Sequence, residues 1–155
     1  MSYLVVYYSR TGNNRTIGEA IAKALSADID EITENKNRQG KLNYMKAGAD
    51  SRSGKLAEIE FEKNPQNYNT IIIGAPIWAG NPIPPLRTYL QDVDLKGKRV
   101  AFFICSQTIG YEEMFPKLVA LIPDSEHIGS FGITQKRFKE EDYSSELEAF
   151  VAIIK

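Results

Sequence analysis

The sequence predicts a doubly wound α/β protein with a five-stranded parallel sheet covered by helices on both faces. Apolar runs of strand length alternate five times with segments of helical spacing, as is typical of parallel α/β folds. The clearest runs, Tyr3–Tyr8 and Thr70–Gly74, are apolar or aromatic at nearly every position, as expected for strands buried on both faces. With 155 residues and no repeat or linker, the chain is expected to form one domain, residues 1–155.

Composition and charge exclude several classes of function. The chain has 19 basic and 20 acidic residues, so it lacks the positive charge that nucleic-acid binding needs. No apolar run approaches the ~20 residues that span a bilayer, so no membrane association is expected. The single cysteine, Cys105, excludes an internal disulfide or a CxxC metal site and is expected to be buried and inert. These features, together with an N-terminus that shows no signal sequence, predict a cytoplasmic location.

The first strand leads through a polar loop, residues 9–16, into a helix. The apolar positions of that helix are Ile17, Ala20, Ile21, Ala24 and Leu25. A strand, a short loop with a glycine and a helix place free backbone N–H groups at the helix start, where they can bind an anion. The two hydroxyls and two amides around Gly12 suit a phosphate, although the same residue types also cap ordinary helices.

Two other nucleotide-binding signatures are missing from the sequence. It contains no G-x-x-x-x-G-K-[ST] motif, which excludes a P-loop that holds a triphosphate with magnesium. The loop after the first strand has one glycine rather than three, which excludes a dinucleotide fingerprint.

The rest of the chain is predicted to supply four more strands and four more helices. The strands are Ile29–Ile32, which suits an edge position, Thr70–Gly74, Val100–Ile104 and His127–Thr134. The polar stretch Thr33–Asn69 is interpreted as one helix with irregular flanks, ending in a turn at Pro65. Later helices begin at Pro84 and near Tyr111, and the last lies around residues 147–154.

The loop after the first strand resembles the S/T-x-T-G-x-T phosphate loop of flavodoxins. The residues that carry this resemblance are Ser9, Arg10, Thr11, Gly12, Asn13 and Asn14. Asn14 stands where a threonine is usual, but its amide can also donate to a phosphate oxygen. The resemblance implies that the loop binds the 5′-phosphate of FMN and that the strand order is 2-1-3-4-5. The ligand would then lie outside the carboxyl ends of strands 1 and 3.

A second segment looks like the first flavin-flanking loop of bacterial and archaeal flavodoxin-like proteins. It follows the strand Thr70–Gly74, and its candidate cofactor-binding residues are Pro76, Ile77, Trp78, Ala79 and Gly80. Trp78 is the candidate to stack on one face of the flavin, because it lies among small and turn-forming residues. The alternative is that Trp78 packs inward as part of the core.

The loop after the fourth strand is the third candidate segment. Ser106, Gln107 and Gly110 are candidates to bind the pyrimidine edge of the flavin, as the corresponding loop does in flavodoxins. Tyr111 is the candidate for the opposite face of the ring, and its alternative is an exposed aromatic residue at a helix start. The three loops are expected to converge at one edge of the sheet.

The resemblance implies an FMN-binding redox protein that passes electrons between redox partner proteins. The flavin would carry the chemistry, so no catalytic residue and no metal ligand are expected. The nearest alternative is an FMN-dependent reductase that takes hydride from NAD(P)H and reduces a quinone or another small acceptor. Thr33–Asn69 would serve as a docking surface in the first case and as a lid in the second.

Other protein classes with similar architecture are excluded by single positions. A receiver domain needs an acidic cluster after the first strand and a phosphorylatable Asp after the third, where this chain has Ser9-Arg10 and Gly74-Ala75-Pro76. A low-molecular-weight phosphatase needs a Cys-x5-Arg loop, and Tyr111 stands in place of the Arg after Cys105.

Overall fold

A five-stranded parallel sheet organises the part of the chain that the computed structural model describes, residues 2–34 and 58–155. Its strands, numbered along the chain, are β1 (Tyr3–Tyr7), β2 (Asp28–Glu31), β5 (Thr70–Gly74), β6 (Arg99–Ser106) and β7 (Glu126–Thr134). Their spatial order, β2-β1-β5-β6-β7, is the predicted order 2-1-3-4-5 and confirms the predicted fold class. A separate antiparallel pair, β3 (Thr33–Glu34) with β4 (Ile59–Glu60), has no counterpart among the predicted elements.

Helices cover both faces of the sheet. They are α1 (Asn13–Leu25), α2 (Pro84–Asp92), α3 (Tyr111–Val119), α4 (Gln135–Glu140) and α5 (Ser144–Ile154). Successive strand residues point to opposite faces. Val5 and Ile72 therefore pack with residues of α1 and α5 on one face, while Leu4 and Ile71 pack with residues of α2 and α3 on the other. Since both faces are covered, the strands are continuously apolar, as their sequences indicated.

Most predicted elements are present, with ends that differ by one or two residues. β5 has its predicted bounds, and α2 begins at Pro84 as predicted, because proline in the first turn removes no helical hydrogen bond. β6 extends beyond the predicted Val100–Ile104, because β7 pairs with it as far as Ser106. The turn expected at Pro65 is a short 3₁₀ helix, Pro65–Asn67. Most of the helix predicted within Thr33–Asn69 lies outside the described residues.

α4 is an additional helix that the apolar spacing did not predict. Within residues 2–34 and 58–155, no helix has the length and apolar character needed to cross a bilayer.

A close contact in the core lies between Gly74 and Phe103, which face each other across β5 and β6. A Cβ atom added at Gly74 would lie 2.0 Å from Cζ of the Phe103 ring, and one added at Gly18 of α1 would lie 3.3 Å from the same atom. The ring therefore fills the space above two glycines, and this is how α1 packs closely on the centre of the sheet. Protein cores at this density do not accept additional atoms without displacement.

We predict that Gly74→Ala lowers the free energy of unfolding by about 1–3 kcal/mol, as is typical of overpacked cores. The penalty should be smaller when Phe103→Leu is also present, because the leucine vacates part of the ring's volume. Urea denaturation of the two single variants and the double variant measures this coupling. Equal penalties in both backgrounds would show that the ring does not restrict position 74.

Candidate functional site

Three loops meet at one edge of the sheet, as predicted. The first loop (residues 8–12) follows β1, the second loop (residues 75–83) follows β5, and the third loop (residues 107–110) follows β6. β1, β5 and β6 are adjacent and parallel, so their carboxyl ends share this edge. A cavity of about 30 Å³ lies between the loops. Its lining residues are Arg10, Thr11, Asn13, Asn14, Pro76, Ile77, Trp78, Cys105, Ser106, Gln107 and Gln135.

The first loop is held by the hydroxyl of Ser9 and by the backbone of Gly12. Ser9 Oγ accepts hydrogen bonds from the backbone N–H groups of Gly12 at 3.0 Å and Arg15 at 3.3 Å. Gly12 has φ +97°, a left-handed conformation that favours glycine. Together these features turn the chain sharply from β1 into α1, so that the first helical turn faces the cavity.

The start of α1 offers unpaired hydrogen-bond donors. Within the described part of the chain, the backbone N–H groups of Thr11, Asn13 and Asn14 have no acceptor. The first turn of α1 contains no acidic residue, and among the described residues the only side chain that accepts from its N–H groups is Ser9, which binds Arg15. The positive end of the helix dipole adds to these donors, so the loop is suited to an anion such as a phosphate.

The Asn14 side chain has a structural role instead of facing a ligand. Its Nδ2 donates to the Cys105 carbonyl oxygen at 3.1 Å, and its Oδ1 accepts from the Cys105 N–H at 2.9 Å. The side chain is 3% exposed. The amide thus binds both polar groups of one residue in β6, and only the backbone N–H of Asn14 remains for an anion.

The two arginines near the loop have different environments. Arg15 forms an ion pair with Glu31, in which Nη2 and Oε1 are 2.5 Å apart, and this pair raises the pKa of the guanidinium. Arg10 lines the cavity. Arg10 is therefore the arginine that is placed to add positive charge to the proposed anion site.

The second loop contains a tight turn from Trp78 to Asn81. The Asn81 N–H donates to the Trp78 carbonyl at 3.2 Å, and Ala79 and Gly80 both have positive φ, +54° and +70°, as in a type I′ turn. Lys117 Nζ donates to the Gly80 carbonyl at 2.9 Å and so joins the turn to α3. Ala79 and Gly80 are exposed and do not line the cavity.

Trp78 does not present an open face in this structure, contrary to the leading expectation. It is 1% exposed and packs edge-to-face on Tyr8, with 5.5 Å between ring centroids. The turn at residues 78–81 reverses the chain, and the buried Ile83 follows it, so the indole lies beneath the loop in the core. This is the inward alternative, in which the ring forms the inner wall of the cavity.

Tyr111 lies away from the cavity, so its expected place over an open ring is not observed. Its ring packs on β7 at Gly132, where an added Cβ would lie 2.1 Å from Cδ2 of Tyr111. Gly132 has no side chain, so the ring has room to lie directly on the strand. Gly110 also does not line the cavity, whereas Ser106 and Gln107 do. The tip of the third loop is Ile109, which is 85% exposed.

Two cavity residues had no candidate role in the sequence, Cys105 and Gln135. Burial raises the pKa of the Cys105 thiol to about 11, while a hydrogen bond from Asn13 and the charge of Lys139 act in the opposite direction. The thiol is therefore protonated near pH 7, and it is buried as expected. Gln135 follows β7 at the same edge of the sheet, and the position of that strand was the only available signal for it.

The family model for flavodoxins matches residues 2–140 of the chain. The chain belongs to the flavodoxin family. Its fold is similar to that of the Lactobacillus acidophilus NCFM flavoprotein solved in complex with FMN, with 21% identity, coverage of 96% of this chain and 97% of that one, and a TM-score of 0.76.

Two further solved structures share the fold of this flavodoxin-family chain. A Bacteroides eggerthii DSM 20697 protein is 22% identical, with coverage of 99% and 97% and a TM-score of 0.75. Oxidised flavodoxin 2 from Bacillus cereus is 19% identical, with coverage of 99% and 97% and a TM-score of 0.63. No curated protein matches the sequence.

In this flavodoxin-family site, the anion-binding end is already formed, whereas the cavity beside it is small. The donors at the start of α1 and Arg10 already fit a phosphate-sized anion. The cavity beside them, about 30 Å³, has room for about one water molecule. A pocket that encloses an organic ligand measures about 300–1,000 Å³. The cavity is therefore too small to enclose a flat aromatic ring.

We predict that Asn14→Ala lowers the free energy of unfolding by about 2–4 kcal/mol, because it leaves two buried backbone groups of Cys105 without partners. Asn13→Ala is the matched control, since that side chain contacts the Cys105 thiol but pairs with no backbone group, and its cost should be under about 1 kcal/mol. Urea denaturation measures both values.

The variant Asn14→Asp gives the same test a pH dependence. Its carboxyl would be buried against the Cys105 carbonyl, so its pKa would be raised in the folded protein. The folded state would then bind the proton more tightly than the unfolded chain. Relative to wild type, the variant should therefore lose stability as the pH rises from about 4, the pKa of an unfolded Asp. Equal unfolding free energies of wild type and all Asn14 variants would show that the two hydrogen bonds between Asn14 and Cys105 do not stabilise the protein.

Proposed function

We propose that this chain binds FMN and carries electrons between redox partner proteins. One observation carries the proposal: unpaired N–H donors at the start of α1 and the cation Arg10 lie beside an apolar wall at the carboxyl edge of the sheet. That pairing of a phosphate site with an apolar slot suits a flavin mononucleotide. Membership of the flavodoxin family and the FMN complex of the Lactobacillus acidophilus relative support it.

The phosphate would be held at the start of α1. Its donors would be the hydroxyl of Thr11, the amide of Asn13, the guanidinium of Arg10 and the backbone N–H groups of the first turn. Each hydrogen bond to a charged oxygen contributes about 1.5–3 kcal/mol. The helix dipole adds to these bonds, and none of the described residues that line the cavity carries a carboxylate to repel the phosphate.

The flavin ring would lie between the second and third loops. Pro76 and Ile77 of the second loop and Gln107 of the third already line the space, while Ala79 and Gly80 lie on the exposed part of the second loop. When bound, the flavin supplies the redox chemistry, and the protein sets its environment. The exposed tips of the two loops are the parts that can separate to admit the ring.

The lining residues would bind the flavin rather than transfer protons. Among the described residues that line the cavity, there is no His, Asp or Glu, and the Cys105 thiol is held protonated by burial. The side chains at the site can bind, orient and exclude water, and none of them is suited to act as a general acid or base near pH 7. A cytoplasmic location, inferred from the single cysteine, remains part of this proposal.

The first test is a titration of the protein with FMN. We predict binding at a ratio of one FMN per chain, with quenching of the emission of Trp78, the single tryptophan, and a rise in the thermal midpoint. Anaerobic NADPH alone should then reduce the bound flavin slowly, and an added NADPH-dependent flavoprotein reductase should reduce it rapidly. Rapid reduction by NADPH alone would favour the reductase, and an unchanged thermal midpoint at saturating FMN would reject both functions.

The second test is the variant Thr11→Val, which removes one hydroxyl from the phosphate site. We predict a loss of about 1.5–3 kcal/mol in FMN binding, roughly tenfold or more in dissociation constant. Riboflavin, which lacks the phosphate, should bind wild type and variant alike. Thr33→Val, the same change on the exposed strand β3, serves as the control. If Thr11→Val bound FMN with wild-type affinity, the Thr11 hydroxyl would not contact the phosphate.

A further inference from the structure

A fourth strand end reaches the edge that the three loops share. β7 pairs with β6 in parallel, and the last pair in their register is Ser106 with Thr134. Gln107 and Gln135 come next on the two neighbouring strands, and both line the cavity. The last strand therefore adds a primary amide to a site that the first, second and third loops otherwise build.

Hydrogen bonds hold the segment that carries Gln135. The Thr134 hydroxyl accepts from the Arg137 N–H at 3.3 Å and caps α4, so the residue after the strand has a fixed backbone. The Arg137 guanidinium binds Glu141, with Nε and Oε2 2.9 Å apart, and also binds Glu146. α4 is thereby attached to α5, and Gln135 stands on a supported element rather than on a loop tip.

The surroundings of Gln135 define the chemistry of what it can bind. Arg10, Thr11 and Asn13 supply donors to the same cavity, and no described lining residue is a carboxylate. A glutamine amide offers two donors and one acceptor. A ligand segment rich in oxygen, with hydroxyl or phosphate groups, matches this set. An apolar ring matches it poorly, because the amide would be left without partners.

The charged residues near Gln135 also favour an oxygen-rich, anionic ligand. Lys139 lies one turn further along α4, and its positive charge acts at the Cys105 thiol in the cavity wall. Together with Arg10, it makes the cavity attractive to an anion.

We propose that Gln135 is a ligand-contacting residue that hydrogen-bonds the phosphorylated ribityl chain of FMN. This inference rests on the proposed function and adds to it a fourth contributing strand. Gln135 selects for the oxygen-rich chain of the ligand, while the second and third loops hold its ring.

The experiment measures dissociation constants for FMN and riboflavin in Gln135→Leu and Gln135→Glu. The first variant removes the amide at similar size, and the second keeps the shape but adds a negative charge. Lys136→Leu, on the next and exposed residue of α4, is the control and should bind both ligands like wild type. We expect FMN binding to weaken about tenfold in Gln135→Leu and further in Gln135→Glu. Gln135→Ala, which also removes the amide, replaces Gln135→Leu if the latter does not fold.

Comparison of FMN with riboflavin shows which part of the ligand Gln135 contacts. An equal loss for FMN and riboflavin supports a hydrogen bond to the ribityl hydroxyls, and a loss confined to FMN supports one to the phosphate. Wild-type dissociation constants for FMN in both Gln135 variants would overturn the proposal and leave the FMN function intact. A wild-type protein that binds neither ligand would overturn both.

Discussion

The arrangement of the site depends on the two hydrogen bonds between Asn14 and Cys105. β6 is longer than its neighbour β5, whose last paired residue, Gly74, stands opposite Phe103. Beyond that point the Ala75 N–H still donates to the Phe103 carbonyl, but the chain then turns away at Pro76, which has no N–H to donate. The N–H and C=O of Cys105 would otherwise be buried without partners on this side. The amide of Asn14 takes the place of the missing strand residue.

The pairing of Asn14 with the end of β6 has consequences for the first loop. Because the second residue of α1 is bound to the end of β6, the first helical turn cannot shift along the sheet. Ser9 Oγ holds the preceding turn from the inside, and Gly12 provides the left-handed backbone that this turn requires. The protein's own contacts therefore fix the remaining N–H groups of this turn. Such preorganisation reduces the conformational entropy lost on binding.

The sequence contained most of the information needed for the fold and less of that needed for the site. Continuous apolar runs predicted β5 to the residue, because both faces of that strand are buried. The polar end of β6 was missed, since its pairing with β7 and with Asn14 is tertiary. An asparagine in a phosphate loop looks the same in a sequence whether its amide faces an anion or a strand end. The inward position of Trp78 likewise depends on packing against Tyr8.

The difference between the two ends of the site affects how tightly a flavin can bind. The phosphate donors are in place, whereas the cavity between the second and third loops is too small to enclose the ring. Opening that space separates loops that Lys117 and the buried Trp78 hold to the rest of the protein. The measured dissociation constant is the intrinsic one divided by the fraction of molecules that are open. A contact such as Lys117 to Gly80 can therefore change flavin affinity without touching the flavin, because it changes that fraction.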